Sequence, residues 1–253
     1  MKKVFISGSI SIKKIPKSVY GSLNKIIDMG MEILIGDAGG IDKVIQDYCY
    51  KVGYFNVIVY SVYDEPRYFL KGFGFKKIEL VDGLKKEREK QVLKDNAMSS
   101  DCDFCLIVWD GKSKGSYFNI LRAIEFGKKT KVYVDSIGQF LDSQKITEND
   151  IESIYRDSNG YSAAEVVEYF EKEGNGFFSS TRELYKILMD RGIIKKIEGV
   201  YHPVSDYGNL FIVKKYRGRI TGINFNDKFI DWVDCNLCEE RNSDLKQMDF
   251  QFN

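Results

Sequence analysis

The stretch LIGDAGGIDKVIQDYC, residues 34–49, runs from a short apolar segment into two glycines flanked by aspartates. It then opens on a helical pattern with Ile41, Val44, Ile45 and Tyr48 on one stripe. A strand that ends in a glycine turn and leads straight into a helix is the repeating unit of an α/β sheet. The same rhythm returns along the first half, in VFIS (4–7), EILIG (32–36), NVIVY (56–60), FCLIVW (104–109) and KVYV (131–134). These runs are free of charge in the middle, as strands buried on both faces are. The pattern predicts a Rossmann-like parallel sheet of about five strands with helices on both faces.

After residue 134 the rhythm stops. The expected organisation is an α/β domain over 1–135, a connector over 136–160 and a second domain over 161–253. That second domain starts with helical patterns at 162–173 and 181–191, the latter ending at Gly192. Strand-like GVYHP, LFIVKKY and RITGINF follow, then a helix around 226–238 and a frayed tail, QMDFQFN. Helices followed by short strands are the order of a small α+β winged-helix module. Residues 63–84 break the first pattern with aromatics, Pro66 and glycines, and read as a lid or rim over the strand ends. A polar helix at about 85–98 follows.

Composition narrows the class of partner. Apolar residues make up 43% and charged residues 30% of 253, which is the balance of a soluble globular protein. Lys and Arg (38) nearly cancel Asp and Glu (37), so no global field draws the molecule to nucleic acid or membrane. No apolar run approaches the ~20 residues of a membrane span, and the expected location is cytoplasmic. Five cysteines without an export signal suggest free thiols. Cys102 with Cys105 and Cys235 with Cys238 have zinc-site spacing, but Cys105 lies inside FCLIVW as a small hydrophobe, so no metal is expected.

Three turns leave strand ends where an open parallel sheet holds ligands. They are SGSIS (7–11), GDAGGID (36–42) and WDGKSKGS (109–116). Gly39 and Gly40 admit positive φ and close approach, and the helix after them would aim N–H groups outward. Lys112, Ser113 and Lys114 are placed to meet an anion. The wall expected around a ligand comprises Gly8, Ser9, Gly36, Asp37, Gly39, Gly40, Asp42, Gly111, Ser113, Gly115, Ser116 and Asn119. Neither GxxxxGK[ST] nor GxGxxG is present.

Several side chains carry two readings. Arg67 is a phosphate ligand on the lid or an exposed turn arginine, and Trp109 a base-stacking platform or a core residue. Asp37, Asp42, Asp95 and Asp110 are candidate acid–base groups near strand ends. Asp42 equally suits the first turn of a helix, and Asp110 a loop acceptor. Lys94 and Asp95 also read as helix-capping residues. The single histidine, His202, lies in the second half, which excludes His-based acid–base chemistry from the first.

The set GSxxI, GDAGGIDKVIQ, KDNAM and WDGKSKGSYFNI resembles the SLOG superfamily, the group of the Lonely Guy phosphoribohydrolases and DNA-processing protein A, over residues 2–134. The resemblance implies a nucleotide or nucleoside-derived ligand at Gly8, Ser9, Asp37, Gly39, Gly40, Asp42, Gly115 and Ser116. Lonely Guy enzymes carry PGGxGTxxE, and aligned on Gly115 and Ser116 their glutamate falls on Asn119. An amide cannot supply that carboxylate chemistry.

Residues 179–233 resemble the C-terminal domain of KilA-type phage antirepressors at Leu184, Leu188, Gly192, Ile193, Tyr201, Pro203, Tyr207 and Phe211. From residue 151 onward 14 basic residues face 17 acidic ones, so this half is not basic overall. Lys195, Lys196, Lys214, Lys215, Arg217 and Arg219 form a local cluster suited to phosphate contact, or simply a solvated hairpin.

Together these features lead us to expect a nucleotide-sensing domain joined to a module that contacts nucleic acid or protein, in a phage or phage-defence setting, as a homo-oligomer. The alternative is an N-glycosidase acting on NAD or a nucleoside monophosphate through loop aspartates. A Rossmann-like scaffold serving only for oligomerisation is the plainest reading.

Overall fold

Strand β1 (Lys3–Gly8) sits at the centre of a seven-stranded sheet with β2 (Glu32–Gly36) on one side and β5 (Phe104–Trp109) on the other. The computed structural model describes residues 1–80, 86–142, 146–174 and 176–238. The expected frayed tail, residues 81–84 of the lid segment, Lys85 of the polar helix and residues 143–145 of the connector lie outside them. The chain divides into two compact units between Ser153 and Ile154.

In the first unit the strand order is β4-β3-β2-β1-β5-β6-β7, with β3 at Val57–Ser61, β4 at Gly74–Lys77, β6 at Lys129–Val134 and β7 at Gln139–Phe140. All neighbours are parallel except β7, which returns antiparallel on β6. Helices α1 (Lys17–Asp28), α2 (Ile41–Lys51), α3 (Glu87–Asp101) and α4 (Lys114–Glu125) make the crossovers.

Alternation along β1 assigns the faces. Val4 and Ile6 join Val19, Leu23, Ile41 and Ile45 in one apolar core. Phe5 and Ser7, half a period away, point to the opposite face, where α3 and α4 pack. The sheet has two strands more than the sequence pattern predicts. Strand β4 lies inside the segment read as a lid; all four of its residues are exposed, so it lacks the buried pattern of the others.

The second unit holds α6 (Ala163–Lys172), α7 (Thr181–Asp190) and α8 (Asp227–Val233), with two antiparallel hairpins, and α5 (Glu148–Asn159) spans the division between the units. One hairpin pairs β8 (Ile194–Ile197) with β9 (Val200–Pro203), and the other pairs β10 (Phe211–Tyr216) with β11 (Arg219–Phe225). Its core gathers Phe170, Leu184, Leu188, Phe211, Phe225 and Phe229. Strand β8 carries Lys195 and Lys196 of the basic cluster shortly after α7 and its turn at Gly192. Glu198 and Gly199, at φ 49° and 82°, make the tight turn that folds it back. Among the described residues no helix is long and apolar enough to cross a membrane.

Candidate functional site

Strand β1 is flanked by β2 and β5, so connections leave to both sides of it, and a groove opens beyond its carboxyl end. The cavity measures about 470 Å³. Phe5, Ser7 and Met98 line its floor, Arg88, Gln91, Lys94 and Asp95 of α3 one wall, and Ser113, Lys114, Gly115, Ser116 and Asn119 of α4 and its cap the other. Gly8, Ile10, Ser11, Gly36, Ala38, Asp42, Arg67 and Asp110 complete it.

The three turns are stitched together by hydroxyls. Ser9 is fully buried; its Oγ accepts the Asp110 N–H at 3.0 Å and lies 3.3 Å from Ser116 Oγ, which also receives the Ser113 hydroxyl at 3.0 Å. The Ser9 carbonyl accepts the first N–H of α2, from Ile41, at 3.4 Å. Ser9 is thus a brace between loops, while the Asp42 and Lys43 N–H groups of α2 meet no protein acceptor among the described residues. Gly40 alone of the glycine pair takes positive φ, 70°, and a Cβ there would stand 2.4 Å from the Ile10 Cα. Gly39 has open space around it and an ordinary φ; it, Gly40 and Gly111 lie outside the lining residues. The N-terminus of α4 is open in the same way. Ser113 caps it through the Ser116 N–H, while no protein acceptor takes the Lys114 and Gly115 N–H groups among the described residues.

Charge is concentrated where β2 ends. Asp37 is fully buried and accepts from Arg67 Nη2 at 2.6 Å, Arg67 Nε at 3.2 Å, the Arg67 backbone N–H at 3.1 Å and Ser61 Oγ at 2.8 Å. Lys94 Nζ adds an ion pair at 3.6 Å. Burial alone would raise the Asp37 pKa, but the Arg67 bonds and the Lys94 charge outweigh it and hold the carboxyl at about 2. Both expectations for this pair change. Asp37 is a saturated acceptor that is ionised at neutral pH, which does not suit a general acid, and Arg67 is committed to it instead of standing free for phosphate.

Asp42 behaves differently. Burial pushes its pKa up to about 7, against the opposing charge of Lys94, with Asp95 nearby reinforcing the rise. Its Oδ2 accepts the Ala38 N–H at 3.2 Å. Gly36 makes this arrangement possible, since a Cβ there would fall 2.4 Å from Asp42 Oδ2 and 2.8 Å from Lys94 Nζ. Burial also raises Asp95, opposed by Lys94 and Arg122.

Asp110 is the loop acceptor of the two readings given above. Burial would raise its pKa, but the Ser11 hydroxyl at 2.6 Å and the N–H groups of Lys112 and Ser113 at 2.9 and 2.7 Å hold it below the ordinary value. That excludes it as an acid at neutral pH. Trp109 is fully buried, with Nε1 donating to the Ser113 carbonyl at 3.1 Å, so it is core and no stacking platform. Asn119 lines the groove with Oδ1 accepting from Arg122 at 2.6 Å.

Sequence reasoning missed most of the α3 wall and Ser7. Ser7 lines the groove, and its buried Oγ has no hydrogen-bond partner among the described residues. The available signal was in α3 itself, whose buried positions are Lys94, Met98 and Ser99. A helix that packs on a sheet through a lysine and a serine is lining something polar. Among the described residues no group of three or more His, Cys, Asp or Glu is placed to hold a metal ion.

No family model matches the chain, and no curated protein matches it. The antirepressor resemblance of residues 179–233 thus rests on its quoted residues alone. Among solved structures the chain is similar to DNA processing protein A from Helicobacter pylori, a protein described by its single-stranded DNA binding mode. Identity is 16% and the TM-score 0.40, over 62% of this chain and 81% of that one. A likeness at that level transfers no site and no ligand.

Proposed function

We propose that the groove beyond β1 binds a nucleotide-derived small molecule, with its phosphate at the N-terminus of α4 and its sugar or base reaching inward to Ser7. The observation that carries this is Ser7 Oγ, buried and unpartnered on the groove floor. Leaving such a group unsatisfied is costly, and a ligand hydroxyl or ring nitrogen would satisfy it. At the mouth, the open N–H groups of Lys114 and Gly115 and the side chains of Lys114 and Arg88 suit an anion. The two cations lie 5.6 and 5.8 Å from the Phe118 ring.

Thermal denaturation across a panel of nucleotides tests the proposal, since a ligand bound only by the folded state raises the melting temperature. Ser7→Ala removes that unsatisfied hydroxyl, so it should not destabilise the ligand-free protein, and it should weaken binding by about 0.5–1.5 kcal/mol, roughly two- to thirteenfold. A panel without any shift, or Ser7→Ala and Lys114→Ala proteins that bind as wild type does, would overturn it.

A second reading, hydrolysis of an N-glycosidic bond, is favoured by one observation. Asp42 lines the groove with a pKa near neutrality, the condition for a group that both gives and takes a proton at pH 7. Chromatography for released base, with Asp42→Asn as the control, separates turnover from binding.

For the second unit, we propose contact with nucleic acid through the β10–β11 hairpin, where Lys214, Lys215, Arg217 and Arg219 are all exposed. The full chain should shift labelled nucleic acid in a gel, more weakly as salt rises. Changing Lys214 and Lys215 to Ala should reduce both affinity and salt dependence. An unchanged shift would leave the hairpin as a solvated or protein-docking surface.

A further inference from the structure

A second cavity, of about 520 Å³, opens on the face of the first unit's sheet that α1 covers, beside α1 and the amino-terminal halves of β5 and β6. That size falls within the roughly 300–1,000 Å³ of small-molecule sites. Val4 and Leu106, both buried, form its floor with Phe104, and Ile26, Met29 and Met31 form one wall. The rim is cationic. Alternation along β6 puts Lys129 and Lys131 on the same face as Tyr133, which belongs to the core on this side. Lys25 joins them from α1. Lys131 Nζ reaches across to Ser22 Oγ of α1 at 3.1 Å and lies 5.0 Å from the Phe140 ring, so its partners are neutral. Among the described residues none of these three lysines makes an ion pair, and no acidic side chain lines the cavity.

We propose that this cavity binds a long-chain aliphatic carboxylate, with the alkyl chain against Leu106, Ile26 and Met29 and the carboxylate among Lys25, Lys129 and Lys131. The site is independent of the nucleotide groove, since no residue lines both. An apolar floor beside three cations without counter-charges is complementary to an amphipathic anion, and to neither a neutral nor a cationic amphiphile.

Two other occupants fit less well. An extended peptide would bring backbone amides that the apolar floor leaves unpaired, whereas an alkyl chain brings none. A partner helix is about 10 Å across, and the Lys131–Ser22 bond ties β6 to α1 across the space it would need. A flexible chain can lie beneath that tie. Each methylene it buries should raise affinity by up to about fourfold, so binding should strengthen steeply with chain length.

The test is calorimetric titration of the full chain with dodecanoate below its micelle-forming concentration, with decanoate as the shorter chain and dodecyltrimethylammonium as the cation of equal length. The expected result is saturable binding of one dodecanoate per chain, several-fold weaker binding of decanoate, and at least tenfold weaker binding of the cation. Changing Lys25 and Lys129 together to Ala should weaken dodecanoate several-fold, with a difference that shrinks as salt rises. Met29→Glu should weaken it too. All three positions are exposed, so the substitutions spare the core. Binding should persist in Ser7→Ala, which separates this site from the nucleotide groove. The absence of saturable binding, or equal binding of the two dodecyl amphiphiles, would overturn the proposal, and both results come from the wild-type chain whether or not a variant folds. Unaltered binding in folded Lys25/Lys129 and Met29 variants would overturn it as well. So would a sedimenting dimer that Met29→Glu dissociates and dodecanoate does not, which would assign the face to a second copy of the chain.

Discussion

Asp37→Ala is expected to destabilise the first unit by about 3 kcal/mol, the low end of the roughly 3–5 kcal/mol lost when a buried pair loses one partner. Two cations would be stranded, but unequally. The Arg67 side chain is 40% exposed and can turn to water, whereas the Lys94 side chain is 5% exposed and cannot. Lys94 would keep its ion pair with Asp95, 3.7 Å away, and the nearby Asp42 carboxyl, whose pKa burial holds up near 7. Denaturant unfolding followed by Trp109 fluorescence in a Trp232→Phe background reports this unit alone. A loss under about 1 kcal/mol, the range of an exposed pair, would mean that Asp37 is not the anchor described here. Because Asp37 is held at about 2 in the folded state, its contribution is present above 3.8 and fades as pH falls from there towards 2. Wild type and variant should therefore converge in acid.

Asp42→Asn should act in the opposite direction. With its pKa raised from 3.8 to about 7, Asp42 in the folded state keeps a proton that the unfolded chain releases. Between those values the folded form binds more protons, so stability falls as pH rises. At about 1.4 kcal/mol per pH unit, the cost above pH 7 has an upper bound of about 4 kcal/mol. Asparagine keeps an acceptor for the Ala38 N–H and carries no charge. The variant should match wild type near pH 3 and exceed its stability at pH 8, while Asp95 leaves a residual slope in both. Equal slopes between pH 4 and 7 would refute a buried, proton-bearing Asp42.

The five principal strands were legible because each is a run of apolar residues that a parallel sheet buries on both faces. EILIG and FCLIVW begin and end in the fold where the pattern places them. Strand β4 was illegible for the converse reason: at the edge, GFKK needs only backbone pairing with β3, and its side chains are exposed. The site divides similarly. Glycine turns announce that loops meet, and Gly8, Gly36 and Gly115 do line the groove. What each polar group does once the loops meet depends on partners distant in sequence. Ser9 faces Asp110, and Asp37 faces Arg67, so a brace and a saturated anchor looked like ligand contacts. Trp109 had both readings in sequence, and the packing of β5 decides for the core.

The central place of β1 has a cost during synthesis. Its partner on one side, β2, emerges from the ribosome soon after it, but on the other side Val4 aligns with Phe104 and Gly8 with Val108. At about 5–20 residues per second, that edge of the sheet stays open for several seconds on the nascent chain. Contacts so far apart also slow folding after release. An unpaired apolar edge is the surface on which chains aggregate, so newly made protein should depend on chaperones most strongly just before β5 is translated.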